Sequence, residues 1–258
     1  MNYSLCADIM FVARGEKGPL WPDTDGIIAA MELAKANGLD GIEMFGLGGR
    51  DLPRILEASK NLEIPVRACV SVGATLLGDP DQTEALVEGF TQTVEGAKAI
   101  ECGKIILNAE GYSKTLSTEE VFAVMVDQLK ALAPIAEANQ ITILVEPLTG
   151  SYFTSAKQAF DLIRAVGSDY VKLLYDVFHF QNIDGKITTS IRENADLIGD
   201  IHFAGSPMRG EITVGELNYE FILQSIKESG YNGNICLEFF TFQNREEKVA
   251  VSAQLLNK

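Results

Sequence analysis

The chain reads as an α/β protein built as a single (β/α)8 barrel, and three observations predict this. Eight short, nearly all-apolar runs alternate with eight amphipathic segments along the 258 residues. The last four of these runs, LVEPL, LLYDV, DIHFAG and ICLEFF, carry a candidate ligand each: Glu146, Asp176, His202 and Glu238. Their spacings of 30, 26 and 36 positions are each about one strand-plus-helix unit. No Pro/Gly/Ser-rich linker divides the chain, so one barrel domain over residues 1–258 is expected, a usual length for this architecture.

Each unit follows from its own pattern. YSLCADIMF reads as the first strand, and DGIIAAMELAKANG as a helix with apolar residues at helical spacing and Gly38 placed to stop it. DGIEMF precedes DLPRILEASKNLE. VRACVSVG precedes a long helix opened by Asp79 and Pro80. KIILNA leads to STEEVFAVMVDQLKALAPIAEANQ, whose Ser-Thr-Glu-Glu start has the form of a capping box. The second half continues with TILVEPL and SAKQAFDLIRAVG, VKLLYDV and KITTSIRENADLIG, DIHFAG and NYEFILQSIKESG, then NICLEFF and REEKVAVSAQLLNK. All-apolar strands suit a parallel sheet covered on both faces, which right-handed crossovers can close. An open doubly wound sheet would call for a Gly-rich phosphate turn after the first strand, and ARGEKGP is not one.

Composition narrows the function. A formal charge of −15, from 36 acidic and 21 basic residues, argues against nucleic acid as a partner. A small molecule fits better. No run reaches the roughly 18 apolar residues of a membrane span, and the start lacks the layout of a secretion signal, so a cytoplasmic protein without a membrane partner is expected. The sequence is compatible with a homo-oligomer. Cys6, Cys69, Cys102 and Cys236 form no CxxC pair and read as buried reduced thiols.

Adjacent strand ends of a barrel point toward a common axis at the end where such folds do chemistry. Three carboxylates and an imidazole gathered there would repel and desolvate one another without a cation among them. Glu146, Asp176, His202 and Glu238 are therefore candidate metal ligands. Hard oxygen donors with one imidazole suit Mn²⁺ or Mg²⁺, with Co²⁺ a further candidate. A cation holding adjacent ketone and hydroxyl oxygens acidifies the intervening C–H, and two flanking carboxylates, Glu146 and Glu238, can then act as catalytic base and acid. That chemistry is aldose–ketose isomerisation or epimerisation.

Around this set, His179 and Arg209 are candidate substrate contacts, Arg209 as a planar fork for a carboxylate or hydroxyl. Asn108 and Glu43, polar residues at two other strand ends, are each read as a substrate contact or a hydrogen-bonding support. Trp21, the only tryptophan, would pack its loop on the rim or wall the pocket. Tyr152 and Phe153 could cover the site.

The runs LVEPL, LLYDVFHFQNIDG, DIHFAGSPMRGE with GELNY, and ICLEFF resemble the xylose isomerase-like sugar isomerase/epimerase superfamily, in particular its hydroxypyruvate isomerase branch. The resemblance implies a divalent metal on Glu146, Asp176, His202 and Glu238, the two glutamates as acid/base pair, and His179 and Arg209 on a small keto sugar or 2-oxo acid. Histidine at position 202 is the usual residue of the ketose 3-epimerases, whereas Tyr152 stands where those enzymes carry a glutamate. Ketose 3-epimerisation and single-metal dehydration of a sugar or polyol are thus the alternatives on the same scaffold. A non-enzymatic metabolite-binding barrel fits poorly with a complete set of four.

Overall fold

In the computed structural model, which describes residues 1–110 and 115–257, eight parallel strands close into a barrel. The strands are β1 (Asn2–Cys6), β4 (Gly41–Met44), β5 (Val66–Val70), β6 (Lys104–Ala109), β7 (Thr142–Pro147), β8 (Val171–Asp176), β9 (Ile198–Phe203) and β10 (Asn234–Leu237). β10 pairs with β1 in register, Leu237 beside Leu5, and completes the ring. The remaining strands, β2 (Ala13–Gly15) and β3 (Gly18–Leu20), form a small antiparallel hairpin.

Helices cover the outside, and their starts are written in the sequence. In α2 (Thr24–Ala36), Ile27, Ala30, Met31 and Ala34 are buried on one face, and the Asp23 carboxylate accepts from the Gly26 N–H at 3.0 Å. Gly38 stands just past that helix at φ +68°, where a side chain would be strained. Asp51 caps α3 (Leu52–Leu62). Asp79 and Pro80 open a single 3₁₀ turn ahead of α4 (Thr83–Ala99). Ser117 and Glu120 form the expected reciprocal capping box on α5 (Thr118–Ala138). Ser155 caps α6 (Ala156–Val166), and Asn218 caps α9 (Tyr219–Glu228).

Three local readings need correction. YSLCADIMF is not one strand: β1 ends at Cys6, and Ala7–Phe11 turns into α1. The buried Asp8 explains the turn, because its carboxylate accepts from the Phe45 N–H at 2.6 Å and pairs with Arg50. The segment after it, read only as the loop that carries Trp21, holds the β2–β3 hairpin. After β8 the chain makes two helices, α7 (Val177–Ile183) and α8 (Ile187–Asn194), where only the second was expected. The last helix, α10, spans Arg245–Leu256; Lys258, included in its predicted run, lies outside the described residues.

The barrel interior is divided. Ala68, Ile106, Leu144 and Leu174, from β5 to β8, make a small apolar cluster apart from the main core. The facing strands β9, β10, β1 and β4 contribute buried polar groups instead: Asp200, His202, Asn234, Ser4 and Glu43. All four cysteines are buried and free, as expected. Among the described residues no helix is long and apolar enough to cross a membrane.

Candidate metal and substrate site

The four strand-end residues converge. Glu146, Asp176, His202 and Glu238 are all buried, and each offers a ligand atom within 4.8 Å of the others. Strand register does this: Asp176 of β8 lies beside His202 of β9, and β9 pairs with β10, which Glu238 directly follows. The Glu238 N–H donates to the Phe203 carbonyl at 2.9 Å, which fixes its backbone at the barrel rim.

Each side chain has a second partner that sets its direction. Asn108 lies opposite Glu146 across β6 and β7, and its amide donates to Glu146 Oε2 at 2.9 Å. Asp176 caps α7, with Oδ1 accepting from the N–H groups of Phe178 (2.7 Å) and His179 (3.2 Å), which leaves Oδ2 facing the cluster. His202 turns Nδ1 to Glu238 Oε2 and Nε2 to Glu43 Oε2, both at 3.0 Å.

Arg209 reaches into the same cluster. Its guanidinium donates to Asp176 Oδ2 at 2.9 Å and to Glu238 Oε2, and lies over the Phe178 ring at 5.0 Å. The loop that carries it starts at Gly205, where an added Cβ would come within 2.6 Å of the Glu211 carbonyl, so a side chain there would push the loop away. Arg209 itself holds a left-handed backbone, φ +49°, and its carbonyl accepts from the Phe240 N–H at 3.0 Å. A non-glycine residue held in that region stores strain. His179 lies 2.8 Å from the Arg209 guanidinium through Nε2. The other ring nitrogen, Nδ1, accepts from the Thr149 N–H at 3.0 Å and lies 2.9 Å from Thr149 Oγ1.

The charges divide unequally. Burial and the neighbouring Glu238 charge push Glu146 up to about 8. Burial acts on Glu238 in the same direction, but His202 and Arg209 outweigh it and hold that carboxyl down to about 2. His202 is raised well above the usual imidazole range, because Glu238 and Glu43 overcome the effect of its burial. Burial lowers His179. The donor set of three carboxylates and one imidazole fits a divalent cation. A second group, Glu43, His202 and Cys236, meets the same distance condition, but burial drives the Cys236 thiol up and makes it a poor ligand.

A cavity of about 290 Å³ opens over the cluster. Glu146 and Glu238 line it together with Asn108, His179 and Arg209, while Phe45, Val70, Ile106 and Leu148 supply apolar wall. A larger cleft of about 570 Å³ lies by the hairpin, around Arg14 and Lys248, and contains none of the four-residue set. Asn108 both lines the cavity and supports Glu146. Of the two readings given for Glu43, substrate contact or hydrogen-bonding support, the geometry fits the second: it is absent from the cavity wall and sits behind His202, with 1% of its surface exposed. Trp21 is half exposed on the rim, its ring 5.3 Å from that of Phe45. Phe153 is buried and Tyr152 packs edge-on against it at 5.1 Å; neither lines the cavity. The sequence reading missed Glu110, which lines the cavity and follows an apolar run as the four chosen residues do, and Thr149, which carries no periodic signal.

Comparison with known proteins agrees with the architecture. The chain is 31% identical over 165 residues to hydroxypyruvate isomerase of Escherichia coli K12, an alignment spanning 62% of this chain and 64% of that protein. It is 30% identical over 122 residues to 2-oxo-tetronate isomerase of Cupriavidus necator, spanning 45% and 47%. Both alignments thus cover less than two thirds of the relative. The solved structure of L-ribulose 3-epimerase matches with a TM-score of 0.85 over 99% of this chain and 93% of its own, at 17% identity, a likeness of fold alone. The model of the xylose isomerase-like TIM barrel family matches residues 31–258, and the chain belongs to that family.

Proposed function

We propose that this protein is a metal-dependent isomerase of a small 2-oxo acid or keto sugar, of the hydroxypyruvate isomerase kind. The observation that carries the reading is that Glu146 and Glu238, with two strands between them, face one cavity while Asp176 and His202 lie beneath them. Glu146, Asp176, His202 and Glu238 would hold the cation, Mn²⁺ or Mg²⁺ with Co²⁺ as a further candidate. When bound, it supplies a Lewis acid that draws charge from the substrate ketone and acidifies the neighbouring C–H.

The chain's own groups account for the rest. One glutamate removes the proton from the hydroxyl-bearing carbon, giving an enediolate, and the other returns a proton to the adjacent carbon, so the carbonyl moves by one position with no net redox change. Among the described residues lining the cavity Arg209 carries the positive charge, and a guanidinium suits the planar group of a substrate carboxylate. His179, held at Nδ1 by the Thr149 N–H, lines the cavity with Nε2 beside Arg209, where it would meet a substrate hydroxyl. Phe45, Val70 and Ile106 exclude water on the other side. Hydroxypyruvate and 2-oxo-tetronate, named for the two relatives, share a ketone beside a carboxylate, and this supports the role given to Arg209. A second reading, ketose 3-epimerisation, uses the same acid/base pair and is favoured by the histidine at position 202.

The test is turnover. Metal-loaded protein should convert hydroxypyruvate faster than neutral C4 to C6 ketoses, and EDTA should abolish the reaction. Preference for a neutral ketose with C3 inversion would establish the second reading instead.

A further inference from the structure

The polar half of the barrel interior forms one connected chain of hydrogen bonds behind the site. Lys104 Nζ donates to Asp200 Oδ2 at 2.9 Å. The Asn234 amide donates to Asp200 Oδ1 at 3.0 Å and to Glu43 Oε1 at 2.7 Å. Glu43 Oε2 then meets His202 Nε2 at 3.0 Å. Asp200 is fully buried, and Glu43 and Asn234 nearly so; Lys104 is the only partly exposed member.

The alternation of donors and acceptors leaves little freedom. A carboxylate only accepts, so the group between Asp200 and Glu43 must donate to both, as the Asn234 nitrogen does. The opposite amide orientation would aim an oxygen at two carboxylates. The cost of the observed one is visible, because buried Asn234 Oδ1 finds no hydrogen-bond partner among the described residues. By the same logic Glu43 requires a hydrogen on His202 Nε2. Nδ1 faces Glu238 at 3.0 Å and Glu146 at 3.9 Å, and the hydrogen that Glu238 calls for there is the one a cation among these carboxylates would displace.

We infer that Glu43, held by Asn234 and anchored through Asp200 to Lys104, is a positioning residue that fixes the proton of His202 on Nε2 and keeps Nδ1 as the metal-binding nitrogen. This rests on the metal reading of the site and extends it to groups that touch neither metal nor substrate. Carboxylates placed behind a ligand histidine fix its tautomer and ring orientation, and their loss lowers metal affinity about 10- to 100-fold.

The chain has only two histidines, so ¹⁵N-histidine NMR of the whole protein is readable, with His179→Gln assigning the signals. In the Zn²⁺-loaded sample, His202 should show a protonated Nε2 and a metal-shifted Nδ1. By calorimetry with Mn²⁺, Glu43→Leu should bind about 10- to 100-fold more weakly, and Glu43→Gln, whose amide oxygen still accepts, should recover most of that loss. Metal on Nε2 in the wild type overturns the inference without touching the metal site, even if Glu43→Leu does not fold. Unchanged Mn²⁺ affinity in a folded Glu43→Leu protein overturns it as well. A wild type that binds no Mn²⁺ removes the metal reading and this inference together.

Discussion

Asn108 and Glu146 face each other across neighbouring strands, and the Asn108 amide donates to Glu146 Oε2 at 2.9 Å. That bond holds one oxygen of a carboxylate proposed both to bind metal and to move a proton. Asn108→Ala should therefore reduce kcat about 10- to 100-fold, the effect of losing about 1.5–3 kcal/mol from a hydrogen bond to a charged group. Steady-state kinetics on metal-saturated protein checks this, and kcat within twofold of wild type would remove the positioning role.

The ligand set makes a separate prediction. Asp176→Asn and His202→Ala each remove one inner donor from a small set, so each should weaken Mn²⁺ binding at least about tenfold. Full metal content in the double variant after dialysis, measured by atomic emission, would dismiss the assignment.

Arg209→Met should leave metal content unchanged and raise KM for hydroxypyruvate far more than for a neutral ketose. A charge-assisted contact is worth about 1.5–3 kcal/mol, so the difference between the two KM ratios should be about tenfold or more. Equal effects on both substrates would point to epimerisation.

Much of this site was legible because period and chemistry coincide. A polar residue ending an apolar run is anomalous for a buried strand, and four such residues at unit spacing identify one end of a barrel. What was not legible depends on register across the ring. Glu43 looks like Asn108 along the chain, but β4 lies two strands from β6 around the ring, and Glu43 meets His202 and Asn234 while Asn108 meets Glu146 and lines the cavity. The turn at Ala7–Phe11 was hidden for a similar reason, since Asp8 finds its partners, Phe45 and Arg50, far along the chain. The apolar periodicity of ADIMF suits a strand equally well until those contacts are known.

Glu146 also makes the stability of the metal-free protein depend on pH. Its folded-state value of about 8 lies above the ordinary 4.5, so the folded protein retains a proton that the unfolded chain has released. That stabilisation is complete below about pH 4.5 and is lost as pH rises through 8, by up to about 1.4 kcal/mol per pH unit. Glu238, held at about 2, acts in the opposite sense and only below about pH 4.5. Denaturant unfolding in EDTA should show the wild type losing stability relative to Glu146→Gln between pH 5 and 8. A constant difference between the two proteins across that range would contradict the assignment of the raised group.

The central claim is that Glu146 and Glu238 move a proton through an enediolate. The most direct measurement is turnover of hydroxypyruvate by the Mn²⁺-loaded protein in D₂O, followed by NMR after removal of the metal. The account predicts solvent deuterium at the newly formed C–H of the product and, on longer incubation, at the hydroxymethyl carbon of recovered substrate. Product formed at full rate with no deuterium at that carbon would contradict it and show that the hydrogen passes directly between carbons.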